Sequence, residues 1–196
     1  MKLKELHKYK KIKSKIRIFY YLIKYKIKNY ELIDNEEYGY VVNVNESVNL
    51  TCKKLKKLPF QFNEINGSFW CSNNNLESLE GCPKIVKGNF FCDNNKLESL
   101  KFCPDIIEGW FNCSKNKLKG FEGLKYLPKE IKDNFILLNE NKELKKFVEI
   151  NDFKELKEKV EKIFEIHEEK KNLLNIIKKE ELNKIKVTNK INIKKI

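Results

Sequence analysis

The chain has 196 residues, of which 41% are hydrophobic and 35% charged, and its formal net charge is +13. This length suffices for one or two domains with a buried core, and the composition excludes both a disordered chain and an integral membrane protein. No apolar run approaches the roughly 18 residues of a spanning helix, and lysines interrupt the stretch where a signal peptide would be apolar. We therefore expect a cytoplasmic protein.

Residues 1–33 are predicted to contain a basic amphipathic helix, over residues 2–30. Apolar residues recur there at spacings of three and four, the period of one helical face. This stripe consists of Leu3, Leu6, Tyr9, Ile12, Ile16, Phe19, Ile23, Ile27 and Tyr30. The first thirty residues also hold eleven Lys or Arg against a single acidic residue, Glu5. We expect the stripe to pack as a cap on the segment that follows.

The basic side chains of this helix form a candidate electrostatic arm. Its members are Lys8, Lys10, Lys11, Lys13, Lys15, Arg17, Lys24, Lys26 and Lys28. Such an arm suits RNA, DNA or an acidic protein surface, and a membrane-surface helix is a further alternative. Arg17 is the only arginine of the chain, whereas arginine is the residue that contacts phosphates and base edges in a bidentate manner. A nucleic-acid role is therefore an alternative rather than the first expectation.

After an extended stretch at residues 38–45, the chain repeats itself with a period of 21 residues. Three well-formed units begin at Gly67, Gly88 and Gly109, and each contains Phe-x-Cys-x-x-Asn-x-Leu. A degenerate unit precedes them from Val48, and another, displaced by three extra residues, follows with Phe135, which gives five strand positions. A fixed period of this length indicates a solenoid of stacked units, here within residues 34–141.

The repeat resembles that of leucine-rich-repeat proteins, whose core reads Leu-x-Leu-x-x-Asn-x-Leu; here Phe and Cys take the first two apolar positions. The segment that follows, with Cys-Pro-x-x-Val/Ile-x-Gly, is similar to a short variant found in phage and bacterial members. The resemblance covers roughly half of the chain. It implies an α/β repeat fold, a short leucine-rich-repeat solenoid with a parallel β-sheet, capped by the N-terminal basic helix and by C-terminal helices.

Two residue types inside the repeat have a structural explanation. Asn74, Asn95 and Asn116 stand where the chain leaves each strand, and we expect their amides to form a ladder that satisfies unpaired backbone groups. All cysteines except Cys52 recur at two repeat positions, and no Cys-x-x-Cys spacing occurs. We therefore expect buried, reduced thiols rather than a zinc site or disulfides, and neither a metal nor a cofactor.

The C-terminal part, residues 142–187, is predicted to be a helical pair or hairpin, followed by a loose tail at 188–196. Asp152 and Glu155 give it a start similar to a capping box. A seam with coiled-coil spacing follows, which two polar residues interrupt. It consists of Phe153, Leu156, Val160, Ile163, His167, Lys170, Leu174 and Ile177.

The sequence offers no catalytic constellation. The two histidines, His7 and His167, fall on predicted helix faces, and the carboxylates form no evident close pair. Phosphate-binding loops and nucleophile-elbow motifs are missing as well. We therefore expect a protein that is not an enzyme.

The residue between the inward-pointing Phe and Cys of each unit should point out of the sheet, because side chains alternate along a strand. Large aromatic side chains on such a face are suited to anchoring a partner. The predicted partner-binding face, with the neighbours that flank it, comprises Asn49, Trp70, Phe91, Asp93, Trp110, Asn112 and Ile136. The alternative is that the N-terminal or C-terminal helices cover this face within the same molecule.

Taken together, these patterns predict a non-enzymatic, monomeric protein-binding module. The likeness to phage-type repeats implies a narrower function, namely a phage or mobile-element protein that captures and blocks a host nucleic-acid-handling defence factor such as a CRISPR effector. A general interaction scaffold or effector adaptor is one alternative. An RNA- or DNA-binding protein that uses the basic helix is another.

Overall fold

The structure, a computed structural model, describes residues 3–137 and 152–193. The chain divides into two compact units, Met1–Lys157 and Glu158–Ile196. The first holds helix α1 (Leu3–Lys24), a 3-10 helix (Gly120–Leu124) and all the described strands, and helix α2 (Phe153–Ile193) begins in it and continues through the second. The strands are β1 (Tyr30–Asn35), β2 (Gly39–Val44), β3 (Val48–Asn49), β4 (Phe62–Ile65), β5 (Phe69–Trp70), β6 (Ile85–Val86), β7 (Phe90–Phe91), β8 (Ile106–Ile107), β9 (Phe111–Asn112), β10 (Glu130–Ile131) and β11 (Phe135–Ile136).

The strands form two sheets along a solenoid. Sheet A has six strands in the order β1-β2-β4-β6-β8-β10, and sheet B has five in the order β11-β9-β7-β5-β3. Every neighbouring pair is parallel except the β1–β2 hairpin, which is antiparallel. This architecture confirms the predicted α/β repeat solenoid with parallel strands and a helix at each end.

Sheet B contains the five strand positions expected from the repeat. In sheet A, β2 matches the extended stretch predicted at residues 38–45, whereas the other strands were not anticipated. Strands β4, β6, β8 and β10 each begin two or three residues after a proline, and Ile85-Val86 and Ile106-Ile107 recur there at the same 21-residue spacing. β-Branched residues favour strand conformation. Their inner members, Val86 and Ile107, are fully buried, so each turn closes its core with a second strand.

A stack of phenylalanine rings runs along the interior of the solenoid. Phe69, Phe90 and Phe111 are fully buried and pair with one another across β5, β7 and β9. The ring centroids of Phe90 and Phe111 lie 5.5 Å apart, with an interplanar angle of 5°. The stack continues to Phe135, and from there to Phe153 in the first turn of α2, at 5.7 Å for each step. The first turn of α2 thus covers the last strand of the stack.

The predicted asparagine ladder is present. Asn95 donates from Nδ2 to the Cys71 carbonyl of the preceding turn at 3.0 Å and to the Cys92 carbonyl of its own turn at 3.1 Å. Its Oδ1 accepts from the backbone N–H of Leu76 at 3.0 Å. Asn74 and Asn116 make the equivalent bonds, and all three side chains are buried. Each asparagine therefore joins its own turn to the one before it.

The corner between the two sheets requires glycine because neighbouring turns approach closely there. A Cβ atom at Gly88 would lie 2.7 Å from Ser68 Oγ and 2.8 Å from the Gly67 carbonyl carbon. Gly67 and Gly109 meet the same obstacle one turn earlier and one turn later. The repeated glycine is thus a consequence of the stacking distance.

Helix α1 departs from its prediction at its end and in the face that it buries. It ends at Lys24, and Tyr30 begins β1 instead of closing the helix. The buried residues are Ser14, Ile18 and Leu22, while most of the predicted stripe faces solvent. The exposed members of that stripe are Tyr9, Ile12, Ile16, Phe19 and Ile23; the side chains of Leu3 and Leu6 lie outside those that the structure describes.

Close packing against the hairpin explains why the helix turns this face inward. Helix α1 packs against β2, where Gly39 comes within contact range of the helix. A Cβ atom at Gly39 would lie 3.1 Å from Ser14 Cβ and 3.2 Å from Lys11 Cα. The small residues Gly39 and Ser14 thus meet at this close contact, and the bulkier Ile12 and Ile16 of the predicted stripe are exposed.

The predicted start of the C-terminal helical region is confirmed, and the part that the structure describes is helical throughout. Asp152 Oδ1 accepts from the backbone N–H of Lys154 at 2.7 Å and of Glu155 at 3.1 Å, which caps α2 as expected. Residues 153–193 form one continuous helix, in which residues 188–193 are included rather than forming a loose tail. Residues 142–151 of the predicted region lie outside the described part of the chain.

The predicted seam of α2 is buried only at its beginning. Phe153 is half-buried and Leu156 and Val160 are buried, whereas the seam residues from 167 onwards are exposed. These exposed members are His167, Lys170, Leu174 and Ile177. The two polar residues that interrupt the seam thus lie where the helix faces solvent.

We predict that Asn95→Ala lowers the free energy of unfolding by at least about 2 kcal/mol, because it leaves buried carbonyl and N–H groups without partners. Urea denaturation followed by circular dichroism measures this change. Asn134→Ala is the control, since the Asn134 side chain is exposed and donates only to the neighbouring Asp133 among the hydrogen bonds described. Equal stability of the two variants would contradict a structural role for the ladder.

Candidate binding surface on sheet B

The outer face of sheet B carries one side chain from each strand. Asn49, Trp70, Phe91, Asn112 and Ile136 are paired across β3, β5, β7, β9 and β11 in that order. Asn49 is exposed, and the other four are half-buried. The inward neighbours Phe69, Cys71 and their equivalents are buried, so the alternation places this row on the outside as the sequence predicts.

A second row, just before the strands, consists of hydrogen-bonded polar side chains that end at a tryptophan. The backbone N–H of Ser68 donates to Ser47 Oγ, and that of Asn89 donates to Ser68 Oγ, both at 3.0 Å. The N–H of Trp110 in turn donates to Asn89 Oδ1 at 2.9 Å. An indole has no acceptor with which to continue this row. The Trp110 side chain is 41% exposed.

A third row, just after the strands, consists of hydrogen-bonded polar side chains that border the face. Ser72 Oγ donates to Asp93 Oδ1 at 2.6 Å across neighbouring turns, and Ser114 Oγ donates to Asn112 Oδ1 at 2.7 Å. The Ser72 and Ser114 side chains are buried, while Asp93 and Asn112 are half-buried. The aromatic side chains are therefore bordered by polar groups that are already held in position.

Helix α1 packs on the other side of the solenoid from this face. It contacts β2 in sheet A, and Lys11 forms an ion pair with Asp34 of β1. The alternative prediction, in which the N-terminal helix covers the aromatic residues, is therefore wrong.

The predicted basic arm divides into exposed and engaged side chains. Lys8, Lys13 and Arg17 are exposed, as are most other members. Lys11 is engaged with Asp34, and Lys10 Nζ donates weakly to the Glu36 carbonyl at 3.4 Å. Lys26 and Lys28 lie beyond the end of α1, in the loop before β1.

Four of the six thiols are inside the solenoid. Cys71, Cys82, Cys92 and Cys113 are buried, Cys103 is half-buried and Cys52 is exposed, and all six are free. Burial raises the pKa of the Cys71, Cys92 and Cys113 thiols far above their ordinary value, which keeps them neutral and unreactive. These cysteines act as small core residues.

Two clefts lie in the first unit. One, lined in part by Tyr38, Cys103 and Asp105, lies beside sheet A, and the other, lined in part by Arg17 and Glu80, lies beside α1. Neither cleft is lined by a histidine. Within residues 3–137 and 152–193, no three His, Cys, Asp or Glu side chains are grouped closely enough to hold a metal ion.

In comparisons with known proteins, no family model, no curated protein and no solved structure matches this chain. None of the helices that the structure describes has the length and apolar composition needed to cross a bilayer.

We predict that one thiol of the native protein, Cys52, reacts rapidly with a disulfide reagent near pH 8. Cys103 should follow slowly, and the four buried thiols should react only after unfolding, because they remain protonated and inaccessible. Counting modified cysteines by mass spectrometry with and without urea measures this order. Rapid modification of Cys92 in the native protein would contradict the buried-thiol interpretation.

Proposed function

We propose that this protein is a non-enzymatic binding module for another protein and that the outer face of sheet B is its contact surface. The observation that supports this most directly is the exposure of the Trp110 indole on the same face as Trp70 and Phe91. Tryptophan is uncommon on a surface that contacts only water, and it is enriched among the residues that contribute most to protein interfaces.

The arrangement around these aromatic side chains also fits a protein partner. Large rings bury much area while they lose little rotamer entropy, and the hydrogen-bonded Ser, Asp and Asn side chains beside them give a polar rim. Short strands locked into a repeated stack hold the face rigid, which lowers the entropic cost of binding. Solenoids commonly use an extended surface of this kind for recognition.

The resemblance of the repeat to leucine-rich repeats supports the same proposal, since it suggests a scaffold for recognition rather than for catalysis. A phage or mobile-element protein that blocks a nucleic-acid-handling host factor remains the narrower prediction. The general scaffold or adaptor remains its alternative. Both use the same face and differ only in the partner.

The test compares captured proteins for three forms of the tagged full chain. We expect the Trp70→Ala/Trp110→Ala variant to lose partners that the unmodified protein retains, by about tenfold or more, because truncating anchor residues removes much of the binding energy. Tyr126→Ala is the control, since Tyr126 is an exposed aromatic residue outside both sheets. Quantitative mass spectrometry measures the difference, with nuclease-treated samples in parallel.

Thermal unfolding separates the possible outcomes of this experiment. If the tryptophan variant unfolds at a much lower temperature than the Tyr126→Ala variant, the face belongs to the internal packing and the proposal is wrong. If every partner disappears after nuclease treatment, the contacts are made through nucleic acid instead. Recovery of a nuclease effector only when both tryptophans are present would support the narrower prediction.

A further inference from the structure

Helix α1 has two apolar faces, and the solenoid uses only one of them. Ile18 and Leu22 are buried against the hairpin side, while Tyr9, Ile16 and Ile23 are 60%, 65% and 78% exposed on the opposite side. Ile12 and Tyr20 are also exposed on this stripe, and Phe19 lies at its edge, with its ring centroid 6.3 Å from that of Tyr30 in β1. At 1.5 Å per residue the helix is about 33 Å long, so the stripe is a continuous apolar strip along most of its length.

Basic side chains border the exposed stripe on both sides. At 100° per residue, Lys13, Arg17 and Lys24 project along one edge, and Lys8 and Lys15 along the other. Lys24 Nζ lies 5.7 Å from the centroid of the Tyr20 ring, and Lys15 Nζ lies 5.8 Å from that of Phe19. The cations therefore stand beside the apolar strip, with their aliphatic stems along its edges.

We propose that α1 docks lengthwise on an anionic bilayer surface. The stripe would enter the boundary between headgroups and acyl chains, and the flanking lysines would meet the lipid phosphates and carboxylates. A helix that lies in the interface characteristically combines aliphatic and aromatic residues on one face with lysines that extend towards the headgroups.

The composition of the stripe favours lipid over nucleic acid. Ile12, Ile16 and Ile23 cannot stack on bases or contact phosphates, and an RNA-binding arm would leave them in water. Acyl chains bury such side chains directly. Arg17 is the only bidentate phosphate ligand of the chain, whereas lysines suffice for the diffuse negative potential of a membrane surface.

Docking in this orientation leaves the solenoid intact. The stripe lies opposite Ser14, which contacts the hairpin at Gly39, so the membrane and the hairpin would hold opposite faces of the same helix. Since α1 packs against sheet A, the proposed membrane contact leaves the aromatic face of sheet B uncovered. The inference is thus independent of the proposed protein-binding function.

The test uses the full chain in flotation with vesicles of phosphatidylcholine alone or with about 30% phosphatidylserine. We expect flotation with the anionic vesicles and at least about tenfold less with the neutral ones. Ile16→Glu/Ile23→Glu should lose about tenfold or more of the anionic-vesicle binding, because it places two carboxylates in the stripe. Leu173→Glu/Ile176→Glu, which changes two exposed residues of α2 in the same way, should bind as the unmodified protein does.

Results of three kinds would overturn the proposal. The first is no flotation with anionic vesicles, or equal flotation of the Ile16→Glu/Ile23→Glu variant while its thermal unfolding is unchanged. The second is salt-sensitive binding of a short single-stranded RNA that outcompetes the vesicles and does not depend on the two isoleucines, which would assign the arm to nucleic acid. The third is a dimer in light scattering that Ile16→Glu/Ile23→Glu dissociates, because a second copy of the chain would then cover the stripe.

Discussion

The buried asparagine that joins each turn to the preceding one is the constraint on which the rest of the solenoid depends. Its amide bonds to carbonyls of two successive turns while its oxygen accepts an N–H from the earlier turn. These bonds form only if each turn has the same length and the turns lie in register. The 21-residue period is therefore a stereochemical requirement, and the stacked Phe rings and the corner glycines follow from the same register.

At the last turn of the stack, where the spacing of 21 residues is lost, the core is less completely buried. Three additional residues precede Pro128, and in the same turn the chain forms the 3-10 helix Gly120–Leu124. β10 and β11 still pair in parallel with β8 and β9, but Phe135 is only half-buried by comparison with Phe111. The ring of Phe153 lies 5.7 Å from that of Phe135, so the first turn of α2 supplies the cover that a further repeat would have given.

The repeat was enough to predict the solenoid, the positions in sheet B, the asparagine ladder and the buried cysteines, because each of these depends on a residue type at a fixed spacing. The repeated strands of sheet A were missed although Val86 and Ile107 also recur, since the two-residue strands β6 and β8 have no alternation from which to recognise them. The face of α1 was assigned wrongly for a different reason. Periodicity identifies an apolar stripe but does not indicate whether protein, lipid or a partner covers it. Ser14 is buried because the helix approaches Gly39 closely, and this contact exists only once the hairpin has folded.

Both candidate surfaces consist of side chains that the stacking of the turns does not require. Along sheet B, the inward-pointing side chains are needed to fill the core. Those of Ser47, Ser68 and Asn89 are needed to accept a backbone N–H of the next turn. Trp110 lies where that row ends. Its indole is not buried in the core and accepts no hydrogen bond from a following turn. The isoleucine stripe of α1 is likewise absent from the contact that holds the helix. Trp110 and the isoleucine stripe expose apolar area to water at a cost in free energy that the proposed protein and lipid contacts would recover.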